Sequence, residues 1–247
     1  MEYIDESKLE SDLQYRFAYV SKFVGFGEKD IKMIKNAATF LEPLVPVIVD
    51  KVYEKLFSFD VTKKVFLIRN EGFAGDLPDT LEHLTLESDQ IQFRKNFLEK
   101  YLKKLVTGNY NENFIKYLDW VGKIHVDTPD KKSRINVNYI HVNALFGFVH
   151  ASLEDIILSS TKSRNPGSID ALDDEIAHKT VCAFSKLLWI QNDLFAKYYC
   201  TPIYRSKSRW ASILQTLTSE VRYMPVLSLI SVAIAGFIIE TKLYKSS

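Results

Sequence analysis

Cysteine is nearly absent from this 247-residue chain, with only Cys182 and Cys200. Two cysteines make no disulfide framework, and their spacing does not match a zinc site. Both read as buried thiols in a reducing compartment. Glycine and proline are also scarce, at 9 and 7, and the prolines fall mainly at the ends of apolar periodic segments. That scarcity argues against a turn-rich β fold and for long helices. Net charge is only +1, which leaves no basic footprint for nucleic acid. No phosphate-binding glycine loop, dinucleotide-binding glycine pattern, nucleophile elbow, HExxH or CxxC run is present. The acidic start, Met1-Glu2-Tyr3-Ile4-Asp5-Glu6, resembles neither a secretory signal nor an Arg-rich transit peptide, so a cytosolic body is expected.

What the chain has is apolar and aromatic content: 47% hydrophobic residues, with 16 Phe and 13 Tyr. The periodicity predicts about eight helices in the first ~200 residues and no strand. The first covers 8–22, with Leu9, Leu13, Phe17 and Val20 on one face. A second follows Gly25 and Gly27, with Glu28 and Asp30 in its first turn, where carboxylates suit the helix dipole. Pro43 and Pro46 begin a third that carries Val49, Tyr53 and Leu56 on one face. Asp60 caps a short helix with Phe66, and 69–87 is irregular. Ser88 caps a helix to about Val106, with Phe93, Phe97, Tyr101 and Leu105 as its stripe. Long helices are expected over 137–158 and from Asp170 to about Tyr199. His83 and His178 sit among charged residues and read as surface histidines; His141 and His150 lack metal-pair spacing and read as polar core or surface residues.

The stretch from Asn113 to His125 carries the candidate chemistry. Asn111 caps it, and Leu118, Val121 and His125 stand at i, i+3 and i+7 on one face that is apolar except for the imidazole. Gly122, one turn before the histidine, removes a side chain that would hold a flat group away. Asp127, Thr128 and Pro129 end the helix. A histidine near the end of a short helix suits the axial position of haem iron. Taken alone, the stretch equally describes a core histidine bonded to a carbonyl, and that is the commoner case.

Four motifs in order change the balance. Tyr15-Arg16-Phe17-Ala18-Tyr19 followed by Phe23-Val24-Gly25-Phe26 and Asp30 resembles the opening of the protoglobin and globin-coupled-sensor family. Leu41-Glu42-Pro43-Leu44-Val45-Pro46 with Val52-Tyr53 is similar to its next segment. Trp120-Val121-Gly122-Lys123-Ile124-His125 resembles its proximal-histidine motif, and Leu187-Leu188-Trp189 with Tyr198-Tyr199 its last helix. The resemblance spans roughly 8–200. It implies an all-α globin-like helical sandwich with an extra N-terminal helix, and haem b iron held by His125. It also implies Tyr53 at a position that hydrogen-bonds bound gas, a distal helix with no obligatory histidine, and a homodimer through the C-terminal globin helices. Phe66 would press on the haem face, Phe93 and Phe97 would wall the distal pocket, and Val121 and Gly122 would flank the ligand histidine. Val52 stands where the family often has an aromatic residue.

Residues 201–247 differ in character. They hold six basic residues against two acidic ones, which leaves the first 200 residues with a net −3. Residues 201–222 read as an amphipathic basic linker helix and 223–247 as an apolar tail, with no charge between Arg222 and Glu240. That run is slightly short of the ~20 residues that span a bilayer. Contact through 223–243 with an intracellular, mitochondrial-type membrane is one reading, and a buried C-terminal helix is the other. No signalling output domain is expected after the globin. Three functions follow: a haem-binding globin that takes O2, CO or NO as a gas or redox sensor; a nitric-oxide dioxygenase or peroxidase-like enzyme on the same haem; or a haem-free, tail-anchored helical interaction module.

Overall fold

A computed structural model describes residues 1–128, 135–165, 167 and 171–200. Contacts divide the chain into Met1–Tyr199 and Cys200–Ser247. The expected linker helix, the apolar tail, Pro129 and most of the basic 131–135 turn lie outside the described residues.

Polar side chains at the helix ends set most of the boundaries. Asp12 is extended, and its carboxylate accepts from the amides of Gln14 and Tyr15. It therefore divides the single helix expected over 8–22 into α1 (Glu6–Ser11) and α2 (Leu13–Val24). Gly25 closes α2 at φ +68°, a left-handed conformation that glycine adopts without strain. α3 (Glu28–Asn36) is followed by the single turn α4 (Ala38–Leu41) and a 3-10 turn at Glu42–Leu44. α5 (Val45–Phe57) has Pro46 in its first turn, where no amide donor is needed. In α6 (Asp60–Lys63), Phe59 takes the cap position in place of Asp60, and a 3-10 turn over Lys64–Leu67 delivers Phe66 to the interior.

α7 (Asp89–Thr107) begins at Ser88, but that hydroxyl caps nothing; it accepts instead from the Thr85 amide at 3.0 Å. α8 (Glu112–Lys123) is capped by Asn111, which accepts from the Phe114 amide. α9 (Tyr139–Ser159) starts at Asn138. α10 (Asp174–Cys200) begins four residues later than expected, because Asp173 accepts from the amides of Glu175 and Ile176. No strand occurs among the described residues. The cysteines are not buried thiols: Cys182 is half-buried and Cys200 exposed.

α10 packs one face into the core, with Ala177, Phe184, Leu187, Ile190 and Phe195 buried and Trp189 exposed. Two ion pairs hold the N-terminal region to it. Arg16 on α2 grips Asp193 with two donors, Nε and Nη2, each at 2.7 Å. Lys186 donates to Asp30 and to the Gly25 carbonyl, both at 2.8 Å. A bidentate, partly buried pair such as Arg16–Asp193 contributes roughly 1–3 kcal/mol. The N-terminal helix α2 is thus clamped to α10.

The interior is not one continuous mass. The largest apolar cluster joins α3, α7, α8, α9 and α10 around Ile34, Leu118 and Leu187. A second gathers Val45, Val49, Val52, Tyr53, Phe66, Leu84 and Ile91. A third holds Val121, Val142 and Phe195. Residues from all three clusters line a single cavity.

Candidate functional site

The end of α8 explains the state of His125. The helix stops at Lys123, two residues before the histidine, because the His125 amide donates to Gly122 at 3.2 Å in a tightened turn. That shift leaves the Val121 carbonyl without its usual helical donor. The imidazole supplies one: Nδ1 lies 2.7 Å from Val121 O. A carbonyl can only accept, so Nδ1 carries a proton, and in a neutral imidazole Nε2 would be the nitrogen with the lone pair. The Val137 amide donates to the His125 carbonyl at 2.8 Å, and the ring rests on Phe195 at 5.0 Å. Backbone, tautomer and ring plane are all fixed. The expectation that the helix runs through His125 is corrected. The carbonyl bond expected of an ordinary core histidine is present, and it is the bond that fixes which nitrogen can coordinate.

His125 opens on a cavity of about 450 Å³, within the range of small-molecule and cofactor sites. Val121, Phe195 and Val137 line it beside the histidine, and Tyr53, Phe66, Leu98 and Tyr101 are further walls. The inner face of α9 contributes His141, Val142, Leu145, Phe146 and Val149. α9 is long and apolar enough to cross a membrane by length and composition, but in this unit that apolar face is a cavity wall. The lining suits a flat, largely apolar group that takes one nitrogen ligand, so the residues fit haem.

Of the seven expected site residues, His125, Tyr53, Phe66, Phe97 and Val121 line the cavity; Phe93 and Gly122 do not. Phe93 packs in an outer aromatic group with Phe73 and Phe97, and Phe97 is itself 47% exposed. The error is geometric. A row at i, i+4, i+8, i+12 drifts about 40° per step on a helix of 3.6 residues per turn, so Phe93 has rotated away from the face of Leu105. The inward face is Arg94, Leu98, Tyr101, Leu102 and Leu105.

Gly122 serves a different purpose from the expected one. A Cβ there would lie 3.0 Å from the Leu194 carbonyl oxygen and 3.3 Å from Phe195 Cα. Glycine lets α8 lie against the backbone of α10. Gly122→Ala is expected to destabilise the haem-free chain by about 1–3 kcal/mol, since backbone atoms yield poorly. A urea midpoint unchanged from wild type would show that the two helices separate without cost.

Three residues carry roles that the motifs did not signal. Gln90 is fully buried; its amide donates to the Phe66 and Ile68 carbonyls, and its oxygen accepts from the Asn70 amide. It fastens the Phe66 segment to α7. Arg94 donates from Nη2 to the Ile68 carbonyl at 2.7 Å and lies 5.0 Å from the Phe66 ring. Burial lowers its pKa to about 10, so it stays cationic at neutral pH. The same burial pushes the Tyr53 phenol up, against the opposing pull of Arg94. His141 is the third. Helical spacing with Leu98 and Leu105 could have found Arg94, and spacing with Leu145 could have found His141. His83 and His178 are exposed.

A family model described as Protoglobin matches residues 13–202, beginning at the first residue of α2. The solved globin domain of the Geobacter sulfurreducens globin-coupled sensor has the same fold, with a TM-score of 0.54 and 19% identity over 74% of this chain and 97% of that one. No curated protein matches.

Proposed function

The chain belongs to the protoglobin family, and from that premise we propose that it binds haem b through His125 and takes O2, CO or NO as ligand, as a gas or redox sensor. The observation that carries the reading is the His125 imidazole, with Nδ1 committed to the Val121 carbonyl on the wall of an apolar cavity. His125 would hold the haem, which would supply an iron able to take a diatomic gas. The chain's own residues do the rest. The Val121 carbonyl orients the imidazole and raises its basicity. The Tyr53 hydroxyl makes no hydrogen bond among the described residues and is a neutral donor for a partly negative ligand atom. Phe66, Leu98, Phe146 and Phe195 keep water out, which slows oxidation.

The same reading includes a homodimer through α9 and α10, supported by the exposed apolar side chains Ile140, Ile176 and Trp189. It also includes a cytosolic body tethered to an intracellular membrane through 223–243, supported by the uncharged run between Arg222 and Glu240.

The test is reconstitution of the full chain with haem, followed by absorption spectra of the reduced protein with and without CO. A stoichiometric Soret band that moves with CO is expected. A folded helical chain that takes up no haem would leave the haem-free interaction module as its function.

A further inference from the structure

Side chains that can give up an electron are unevenly placed around the cavity. The phenylalanines of the lining do not serve, because a benzene ring is far harder to oxidise than a phenol or an indole. Tyr53 is oxidisable, but the ring it packs on is Phe66, so it leads no further. Tyr139 and Tyr199 pair at 5.0 Å, yet neither lines the cavity. Tyr101, Tyr117 and Trp120 all line it, and they form one row. The Tyr101 and Tyr117 centroids are 6.4 Å apart, and Tyr117 stacks on Trp120 at 6.0 Å with 27° between the planes. Tyr117 and Trp120 stand at i and i+3 on α8, so the helix itself holds the stack. Trp120 is 47% exposed. The row therefore runs from the cavity wall to solvent. Electron transfer weakens steeply with distance, and short steps between neighbouring rings outrun one long step through aliphatic side chains.

The surroundings give the row a direction. Tyr101 is desolvated, which pushes its phenol well up and leaves its proton no ready exit. Tyr117 is half-buried and Trp120 exposed, so both can release a proton to water. The Lys104 ammonium lies 4.0 Å over the Tyr117 ring. A cation there opposes positive charge on the ring, so Tyr117 gives up its electron and its hydroxyl proton together.

We propose that Tyr117 and Trp120, with Tyr101 behind them, form a one-electron port that carries oxidising equivalents from the haem cavity to the surface, where small water-soluble reductants such as ascorbate or phenols discharge them. This rests on the haem reading above and adds an activity to it, the oxidation of such reductants by hydrogen peroxide at a point away from the iron. The peroxide takes up two electrons and two protons, its O–O bond breaks, and two waters form. Each electron leaves the port with one proton, from the Tyr117 hydroxyl or the Trp120 indole N–H, and each is replaced by one electron and one proton from a reductant. One peroxide and two reductants thus give two waters and two reductant radicals.

The test is addition of hydrogen peroxide to the haem-loaded, ferric, full-length chain in the presence of a nitroso spin trap, with the adducts located by peptide mass spectrometry. An adduct on Trp120 is expected in the wild type, and none in the haem-free chain. Trp120→Phe keeps a ring in place but not an oxidisable one; it should lose that adduct, keep its haem, and bleach faster under peroxide. Trp120→Tyr should restore protection. Tyr117→Phe should lower the adduct on Trp120 several-fold. A haem-loaded wild type with no adduct on Trp120 overturns the port and leaves the haem reading standing. So does an adduct spread equally over Trp120 and Trp189, which is exposed but outside the lining, or an adduct on Trp120 at full yield in Tyr117→Phe. A wild-type chain that takes no haem overturns both.

Discussion

Replacing His125 with alanine is expected to abolish stoichiometric haem binding and the CO-dependent Soret shift, while the chain stays folded. The loss should exceed the ~10–100-fold that removal of a partner behind a metal ligand costs, because here the ligand itself goes. The helical fold is expected to survive because the bond from the imidazole to the Val121 carbonyl and its contact with the Phe195 ring are small beside the apolar core. A bond of that kind is worth about 0.5–1.5 kcal/mol. Added imidazole should restore part of the spectrum by occupying the space left by the side chain. His141 makes the experiment decisive, since it is the second histidine in the lining. A His125→Ala protein that keeps a CO-responsive haem, beside a His141→Ala protein that loses it, would move the ligand to α9.

The second large effect is on gas release. Tyr53→Phe is expected to speed O2 dissociation by about 10–100-fold, from the loss of a hydrogen bond to a partly charged acceptor. CO, which develops less negative charge, should change less. The substitution leaves the aromatic contact with Phe66 in place, so the rate reports the hydroxyl. Because burial pushes the phenol above its ordinary value, Tyr53 stays a neutral donor from roughly pH 6 to 9, and its contribution should be flat across that range. An unchanged O2 rate would remove Tyr53 from the site.

Much of this architecture is visible before any coordinates. The helix content follows from periodicity and from the shortage of glycine and proline, and the cap at Asn111 follows from residue type. Local competition is harder to anticipate. Asp12 lies within an apolar repeat that predicts one helix, yet its carboxylate captures two amides and makes two. The distal face was misread for a related reason: the Phe93–Phe97–Tyr101–Leu105 row is prominent in the sequence because its members are large, but size does not set helical phase. Arg94 escaped because a charged residue is expected to face solvent.

The sequence by itself determined the family, the all-α class and the choice of His125, because motif order and helical period are properties of the chain alone. Tertiary structure decided the tautomer of that histidine, since the Val121 carbonyl becomes available only when the last turn of α8 tightens. It decided the purpose of Gly122, which depends on how closely the α10 backbone approaches. It also decided that Arg94 and Tyr53, 41 residues apart on α7 and α5, both lie against the Phe66 ring on the cavity wall, because only packing of the Phe66 turn between those helices brings them there.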